Sequence, residues 1–255
     1  MMLRLQKVSK AFGALQAVND VSFELAAEGI TGLVGPNGSG KSTLFHLITG
    51  FYHADHGRIF FNHRSIERLP PHTISRFGLT RTFQHTRVLP FLSVLDNLII
   101  AAPSQLGERF WTLFFKRGRV HRQEGELREK ALEVIRLLAL GRHAGEFAGR
   151  LSYGQQKLLE LGRVLMADPR LVLLDEPTAG INPSLIRQLV DILQRIVERG
   201  IQIFLIEHNM PLVAELCSRV LVMDSGELIF SGTAAQARTD PRVIEAYLGR
   251  ETDAA

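Results

Sequence analysis

An α/β fold with a largely parallel central sheet, an antiparallel β portion near the N-terminus and an inserted helical segment follows from three observations. Short apolar runs at Ile30–Val34, Arg170–Leu174 and Ile201–Ile206 read as buried strands of the parallel type. Each leads through turn residues into a helical periodicity, so strand and helix alternate. From about Leu89 to Arg163 the pattern turns helical, which marks a subdomain inserted into the α/β core.

The first strand runs into Gly35-Pro36-Asn37-Gly38-Ser39-Gly40-Lys41-Ser42-Thr43, a complete match to G-x-x-x-x-G-K-[ST]. Its glycines let the backbone turn N–H groups inward, and the helix starting near Lys41 adds its positive end. A polyphosphate therefore meets many converging donors. Lys41 is placed to reach the β- and γ-phosphates, the Ser42 hydroxyl to ligand Mg²⁺, and Thr43 to bond the α-phosphate side. The bland alternative, a Gly/Ser surface loop that happens to contain Lys, is disfavoured by the strand before it and the helix after it.

A chain of 255 residues has room for one well-buried α/β domain and a smaller appendage, not for two nucleotide-binding domains in tandem. Any second ATPase is then expected to be another chain. Hydrophobic residues make up 45% and charged residues 22%, an ordinary globular balance, and no apolar stretch approaches the ~18 residues of a membrane span. Met1 to Lys7 lacks an apolar core and a cleavage site, so no secretory signal and a cytoplasmic location are expected. The net charge of +4 fits an anionic ligand or membrane surface and is too small to imply nucleic acid. Cys217, the one cysteine, cannot form an internal disulfide and lies in an apolar helical pattern, so it reads as core.

In chain order, residues 3–8 and 21–25 read as antiparallel strands flanking the segment Ser9–Asn19. Phe12 lies in that segment, and its position leaves two readings open: a core side chain, or an aromatic face for the base of the nucleotide. The first helix stops near Gly50, and Asp55-His56-Gly57 turns into a strand over 58–62. Gln84, in Arg81-Thr82-Phe83-Gln84, matters only if the fold brings its amide to the Mg²⁺ beside Ser42. Further on, Leu127, Ala131, Val134 or Ile135, and Leu138 recur at helical spacing, with Glu126 pairing Lys130 at i,i+4 and Gly141 as a stop. Phe110 to Phe115 form an aromatic knot rimmed by Arg109, Lys116, Arg117, Arg119 and Arg122. It is either a helix packed on the subdomain's own core or a patch that meets a membrane partner or lipid headgroups.

Leu151-Ser152-Tyr153-Gly154-Gln155 opens a long apolar-periodic helix that must end before Pro169. Ser152 is a natural N-cap, and taken alone Ser152 and Gly154 read as capping, although a Ser-x-Gly helix start is also an anion site. The strand Arg170–Leu174 ends in Asp175-Glu176, two acids with no packing reason to sit there. Asp175 is a candidate for holding Mg²⁺, directly or through water, and Glu176 for accepting a proton from, or orienting, the attacking water. Pro183 starts a helix that closes at Gly200, and the next strand ends in Glu207-His208, placing His208 at the same sheet edge as Glu176. A hairpin over 219–231 and a polar tail over 250–255 complete the chain.

With these residues in order (phosphate loop, Gln84, Leu151 to Gln155, Asp175-Glu176, His208) the chain resembles an ABC-transporter ATPase subunit over roughly residues 3–232. The resemblance implies a P-loop NTPase of ABC type with a mixed RecA-like core. Residues 3–88 and 164–232 would form the nucleotide-binding core, 89–163 the helical signature subdomain and 233–255 the C-terminal tail of one domain. It implies ATP as the nucleotide and makes Phe12 an adenine-stacking residue. It implies that a second ATPase subunit, identical or paralogous, sandwiches two ATP molecules, the phosphate loop of one facing Leu151, Ser152, Tyr153, Gly154 and Gln155 of the other. Glu176 and His208 would carry hydrolysis, Ser42, Gln84 and Asp175 would hold the metal, and closure would pass to transmembrane permease subunits at the cytoplasmic face of the inner membrane.

Within that family the chain is most similar to ATP-binding subunits of branched-chain amino-acid uptake systems and their urea and short-amide relatives. Tyr153 inside the signature, Ala179-Gly180-Ile181-Asn182-Pro183, the ending Asp240 to Gly249 and the long insertion before Glu124 carry that similarity. An extracytoplasmic solute-binding protein is the implied indirect partner. Tyr153 replaces the commoner glycine, and Asn182 stands where many members have aspartate. A lipopolysaccharide or lipid exporter ATPase shares a similar tail, but the insertion from Ser104 to Arg122 resembles the amino-acid group more. A soluble ABC ATPase of translation or DNA repair would carry tandem cassettes or coiled-coil insertions, and neither is visible.

Overall fold

The computed structural model describes residues 2–25, 29–82, 88–103 and 117–248. Gln84, the knot from Phe110 to Phe115 with Arg109 and Lys116, and the polar tail over 250–255 lie outside them. Packing divides the chain into two compact units. One comprises residues 1–81, 170–178 and 196–255; the other comprises 82–169 and 179–195.

In the first unit, β1 (Leu3–Phe12) and β2 (Leu15–Leu25) form an antiparallel hairpin, joined on the far side of β1 by β4 (His56–Phe61) and β5 (Arg64–Ser65). Both hairpin strands run well into the segment 9–19 that the alternation left out. The reason is irregular pairing: the β1–β2 register shifts between Leu5 and Val8, Val8 and Lys10, and Lys10 and Ala11, and each shift breaks the period-two pattern.

The second sheet of this unit has the order β10-β9-β3-β8-β7-β6. Its strands are β3 (Ile30–Val34), β6 (Leu79–Arg81), β7 (Leu171–Asp175), β8 (Gln202–Ile206), β9 (Arg219–Asp224) and β10 (Glu227–Gly232). All neighbours pair in parallel except β9 and β10, which form a hairpin. Every residue of β3, β7 and β8 is buried, as continuous apolar runs require. Helix α1 (Lys41–Ile48) supplies Leu44, Phe45, Leu47 and Ile48 to the core that both sheets share. Phe204 of β8 lies 5.0 Å from the Phe45 ring and 5.7 Å from Phe23 of β2, so helix and sheets meet at one aromatic centre. Each such ring contributes about 1.5–3 kcal/mol by burial, which fixes α1 and the loop before it.

Cys217 is buried as expected. Burial, with the Glu207 carboxylate a lesser cause, pushes its thiol up to about 12, so it is inert.

The second unit holds α3 (Val94–Ile99), α4 (Arg117–Leu137), α5 (Tyr153–Leu165) and most of α6 (Pro183–Glu198); α2 (Pro71–Arg76) belongs to the first. Glycine at 162 lets helices close up: a Cβ there would lie 2.5 Å from Leu138 and 2.9 Å from Leu98. The expected Glu126–Lys130 pair is not the one that forms. Glu126 accepts from Arg122 Nε at 2.9 Å, while Lys130 donates to the Met166 carbonyl and to Asp168. The unpaired carbonyls at the end of α5 attract the ammonium more than an exposed neighbour on its own helix does.

Asn97 is completely buried, donating to the carbonyls of Leu89, Leu92 and Ser93 and accepting from the Leu89 N–H at 2.8 Å. It latches the 89–93 loop to α3. Asn97→Ala leaves these groups without partners and is expected to lower stability by about 2–4 kcal/mol, read as a shift in the urea midpoint.

Candidate functional site

The loop after β3 owes its path to glycines that nothing else can replace. Gly35 has φ 146° and a Cβ there would lie 2.0 Å from the Met223 carbonyl oxygen; Gly40 has φ 98° and its Cβ would lie 2.2 Å from the Ala17 oxygen. The loop is thus pressed between the end of β9 and the start of β2, its shape held from outside. Lys41 is buried, and its Nζ donates to the carbonyls of Gly35 and Pro36, both at 2.8 Å, and to Ser39 Oγ at 3.3 Å.

A cavity of about 460 Å³ opens over this loop, lined by Asn37, Gly38, Gly40, Lys41, Ser42 and Thr43 together with Glu176 and His208. Leu15, Gln16, Ala17 and Ser225 complete the wall. Such a volume and polar lining suit a nucleotide.

Glu176 follows directly on β7, its N–H donating to the Ile206 carbonyl at 3.0 Å. Its φ of 48° puts a non-glycine residue in the left-handed region, the kind of local strain that collects at working sites. Its Oε1 lies 2.6 Å from His208 Nε2. The turns that follow the neighbouring parallel strands β7 and β8 thus bring the Glu176 carboxylate and the His208 imidazole into contact beside the phosphate loop.

Beneath them Glu207 is buried, accepting from the N–H and Oγ1 of Thr178 with one oxygen and from the His208 N–H with the other. This carboxylate ties the turns after β7 and β8 together. Sequence reasoning passed over it because an acid beside His208 looks like an ordinary loop residue; full burial is the signal that singles it out.

Asp175 is buried at the end of β7, with Oδ2 accepting from Arg81 Nη2 and Oδ1 without a partner among the described residues. Arg81, which closes β6, was also missed: one cation on a three-residue edge strand has no pattern to mark it. Its guanidinium stands 5.6 Å from the Phe45 ring. Burial, and then the Arg81 charge, push the neighbouring His46 below its usual range, so that imidazole stays neutral beside the pair. A carboxylate with an unused oxygen, and the Ser42 hydroxyl in the cavity wall, are hard oxygen donors that fit Mg²⁺, an ion that takes few protein ligands and completes its shell with phosphate and water.

Phe12 is 43% exposed at the end of β1, which removes the core reading. It stands edge-on to Tyr52 at 5.3 Å, with Lys10 Nζ 5.5 Å from its ring, and is not among the residues lining the cavity. Another residue that sequence reasoning missed is Tyr247, on the helix α9 (Pro241–Leu248; α7 is Met210–Leu216 and α8 Ala234–Ala237). Tyr247 is 37% exposed, and partial burial, with the Gly35 backbone acting the other way, raises its hydroxyl's pKa.

In the second unit, Ser152 caps α5. Its Oγ accepts from the Gln155 N–H at 3.3 Å, while Gln155 Oε1 accepts from the Ser152 N–H at 2.9 Å, a reciprocal capping box. Leu151 and Gly154 are buried, the latter against Leu185. Tyr153 is exposed, with Lys157 Nζ 5.4 Å from its ring, and a Cβ at Gly180 would lie 3.0 Å from it. Tyr153 therefore packs against the 179–182 turn, which a glycine in its place could not do.

The sequence profile of the ABC transporter family matches residues 18–179, and that of the branched-chain amino acid ATP-binding cassette transporters matches residues 227–253. The chain is 38% identical over 249 residues to a probable branched-chain amino acid transport ATP-binding protein, LivG, of Archaeoglobus fulgidus, covering 98% of this chain and 96% of that one. It is 36% identical, again over 249 residues, to the high-affinity LivG protein of Escherichia coli (strain K12), covering 97% and 98%. Among solved structures, a nucleotide-free ATP-binding cassette from an ABC transporter superposes with a TM-score of 0.82 at 35% identity, over 96% of this chain and 98% of that one. The ADP conformation of an ATP-binding cassette gives a TM-score of 0.82 at 34% identity, over 97% and 98%.

Proposed function

The chain belongs to the ABC transporter family as an ATP-binding, ATP-hydrolysing subunit, and from that premise we propose that it powers an importer of branched-chain amino acids or related small polar solutes. The observation that carries the hydrolytic part is the Glu176–His208 contact of 2.6 Å inside the cavity of the phosphate loop. The solute follows from the likeness of residues 227–253 and of the whole chain to branched-chain amino acid transport subunits. A lipid exporter is not favoured by those relatives.

Amides of Gly38, Ser39, Gly40 and Lys41, with the N-terminal end of α1, bind the phosphates, and Lys41 exchanges loop carbonyls for phosphate oxygens. Ser42 and Asp175 would hold Mg²⁺, with Gln84 a further ligand, and the ion would supply charge neutralisation for the phosphates. Glu176 orients the attacking water and takes its proton, while His208 fixes the carboxylate by Oε1 and offers its ring to the γ-phosphate side. Phe12 stacks on adenine. Leu151, Ser152, Tyr153, Gly154 and Gln155 act in trans, on the nucleotide held by a second ATPase subunit.

Transmembrane permease subunits are the partners that supply the channel in this reading; no helix among the described residues is long and apolar enough to cross a membrane. Phe91, 87% exposed, and Phe147, 52% exposed, stand on neighbouring loops of the second unit joined by the Ala148 N–H to Leu92 carbonyl bond at 2.9 Å. Exposed aromatics on a latched loop support docking to a permease at the cytoplasmic face of the inner membrane.

Capture of the tagged Glu176→Gln chain with MgATP from its native cells in mild detergent tests this reading. Multi-span membrane proteins, a second cassette and a solute-binding protein that takes leucine, isoleucine or valine are expected. Ribosomal or DNA-repair proteins without a membrane partner would refute it.

A further inference from the structure

Arg81 and Asp175 form a buried ion pair that uses only part of what each group offers. An arginine fork meets a carboxylate best through two parallel bonds, yet only Nη2 donates here, to Oδ2. Nε and Nη1 of Arg81 and Oδ1 of Asp175 have no partner among the described residues. The side chains are 6% and 0% exposed, so water does not make up the difference.

Geometry explains why the second bond is missing. Arg81 is fixed opposite Leu173 in the β6–β7 register, two residues short of Asp175, and the Phe45 ring lies 5.6 Å from its guanidinium. The fork therefore reaches one carboxylate oxygen and leaves the other without a donor. A buried ion pair is costly unless further partners satisfy the lone pairs and protons it leaves over, and the lone pairs of Oδ1 are open to a cation.

We propose that Arg81 is a positioning residue for the metal: it is the built-in counter-charge of Asp175, holding Oδ2 so that Oδ1 is the oxygen offered to Mg²⁺, and it moderates how strongly the site takes the ion. This rests on the assignment of Asp175 to the metal. Arg81 and Mg²⁺ then neutralise one carboxylate from two sides, and they also repel each other. Since Arg81 is followed directly by Thr82-Phe83-Gln84, the strand that holds the counter-charge leads into the segment that carries another metal candidate.

A simple staple between β6 and β7 would make a different prediction, because losing it would weaken the fold equally with and without metal. The thermal midpoint of the full chain is measured with ADP in EDTA and with ADP plus Mg²⁺, for the wild type, Arg81→Met and Arg81→Gln. Mn²⁺ affinity in the presence of ADP is read by electron paramagnetic resonance. Both variants are expected to melt lower in EDTA, to gain more than the wild type on adding Mg²⁺, and to bind Mn²⁺ roughly threefold to tenfold more tightly once the repelling charge is gone.

If Arg81→Met does not fold, Arg81→Gln decides, since its amide keeps a polar group in the place of Nε while removing the cation beside Asp175. An Mg²⁺-dependent gain equal to or smaller than that of the wild type, with Mn²⁺ affinity unchanged or weakened, overturns the inference and leaves the metal assignment standing. A wild-type chain that gains nothing from Mg²⁺ overturns the metal assignment and this inference with it.

Discussion

Glu176→Gln is expected to bind MgATP about as well as the wild type and to hydrolyse it roughly 10²- to 10⁴-fold more slowly, the usual range for loss of a positioned general base. The substitution keeps the side chain's length and its oxygen, so His208 Nε2 can still be met where Glu176 Oε1 now lies at 2.6 Å. The strained φ of 48° is a backbone property and is unaffected. What disappears is the carboxylate that, in the proposed role, takes a proton from water. Single-turnover hydrolysis and equilibrium binding, measured separately, separate the two effects. Turnover at the wild-type rate would sink the assignment of Glu176. With hydrolysis blocked and binding intact, the ATP-bound dimer should also persist; failure of the variant to pair with itself would point to a paralogous partner.

Lys41→Ala is expected to lower nucleotide affinity at least about 100-fold, because the proposed role gives Lys41 two charge-assisted phosphate contacts of ~1.5–3 kcal/mol each. A second cost is internal. The carbonyls of Gly35 and Pro36 each lose a donor now 2.8 Å away, and Ser39 Oγ loses one at 3.3 Å. Calorimetric titration with MgATP reads the first effect and thermal melting the second. Retained micromolar binding by a folded Lys41→Ala chain would mean that the loop's amides alone hold the phosphates.

Much of the fold was legible because its strands and loops obey local rules. The runs that became β3, β7 and β8 were visible as uninterrupted apolar stretches, the pattern of strands covered on both faces. Ser152 announced a helix start as a natural N-cap, and in the structure it caps α5, with Gln155 completing a capping box. The N-terminal hairpin was read too short because register shifts erase alternation. Lys130 was given the wrong partner because i,i+4 spacing is a property of one helix, whereas Asp168 and the Met166 carbonyl come to it only through packing.

The candidate site divides in the same way. Gly35 to Thr43 were singled out because the motif is contiguous, and Glu176 and His208 because each follows closely on a buried strand; the structure brings all but Gly35, Pro36 and Ser39 of these to the wall of one cavity. Arg81 and Glu207 could not be, since their significance lies in whom they touch. One pairs with Asp175 from the edge strand, and the other bonds Thr178 from a neighbouring turn. Neither partner can be inferred from sequence separation.

The strand order has a bearing on how the protein comes to exist. β3, which carries the phosphate loop, and β7, which carries Asp175 and leads into Glu176, are not neighbours: β8, made later, lies between them and pairs with both. While the chain emerges from the ribosome, the loop and the two acids are therefore already synthesised but have no sheet to join them until residues 202–206 follow. Assembly must wait for a non-local insertion, the slow kind of step in folding. The nascent chain thus acquires its nucleotide site late, after most of its length has been made.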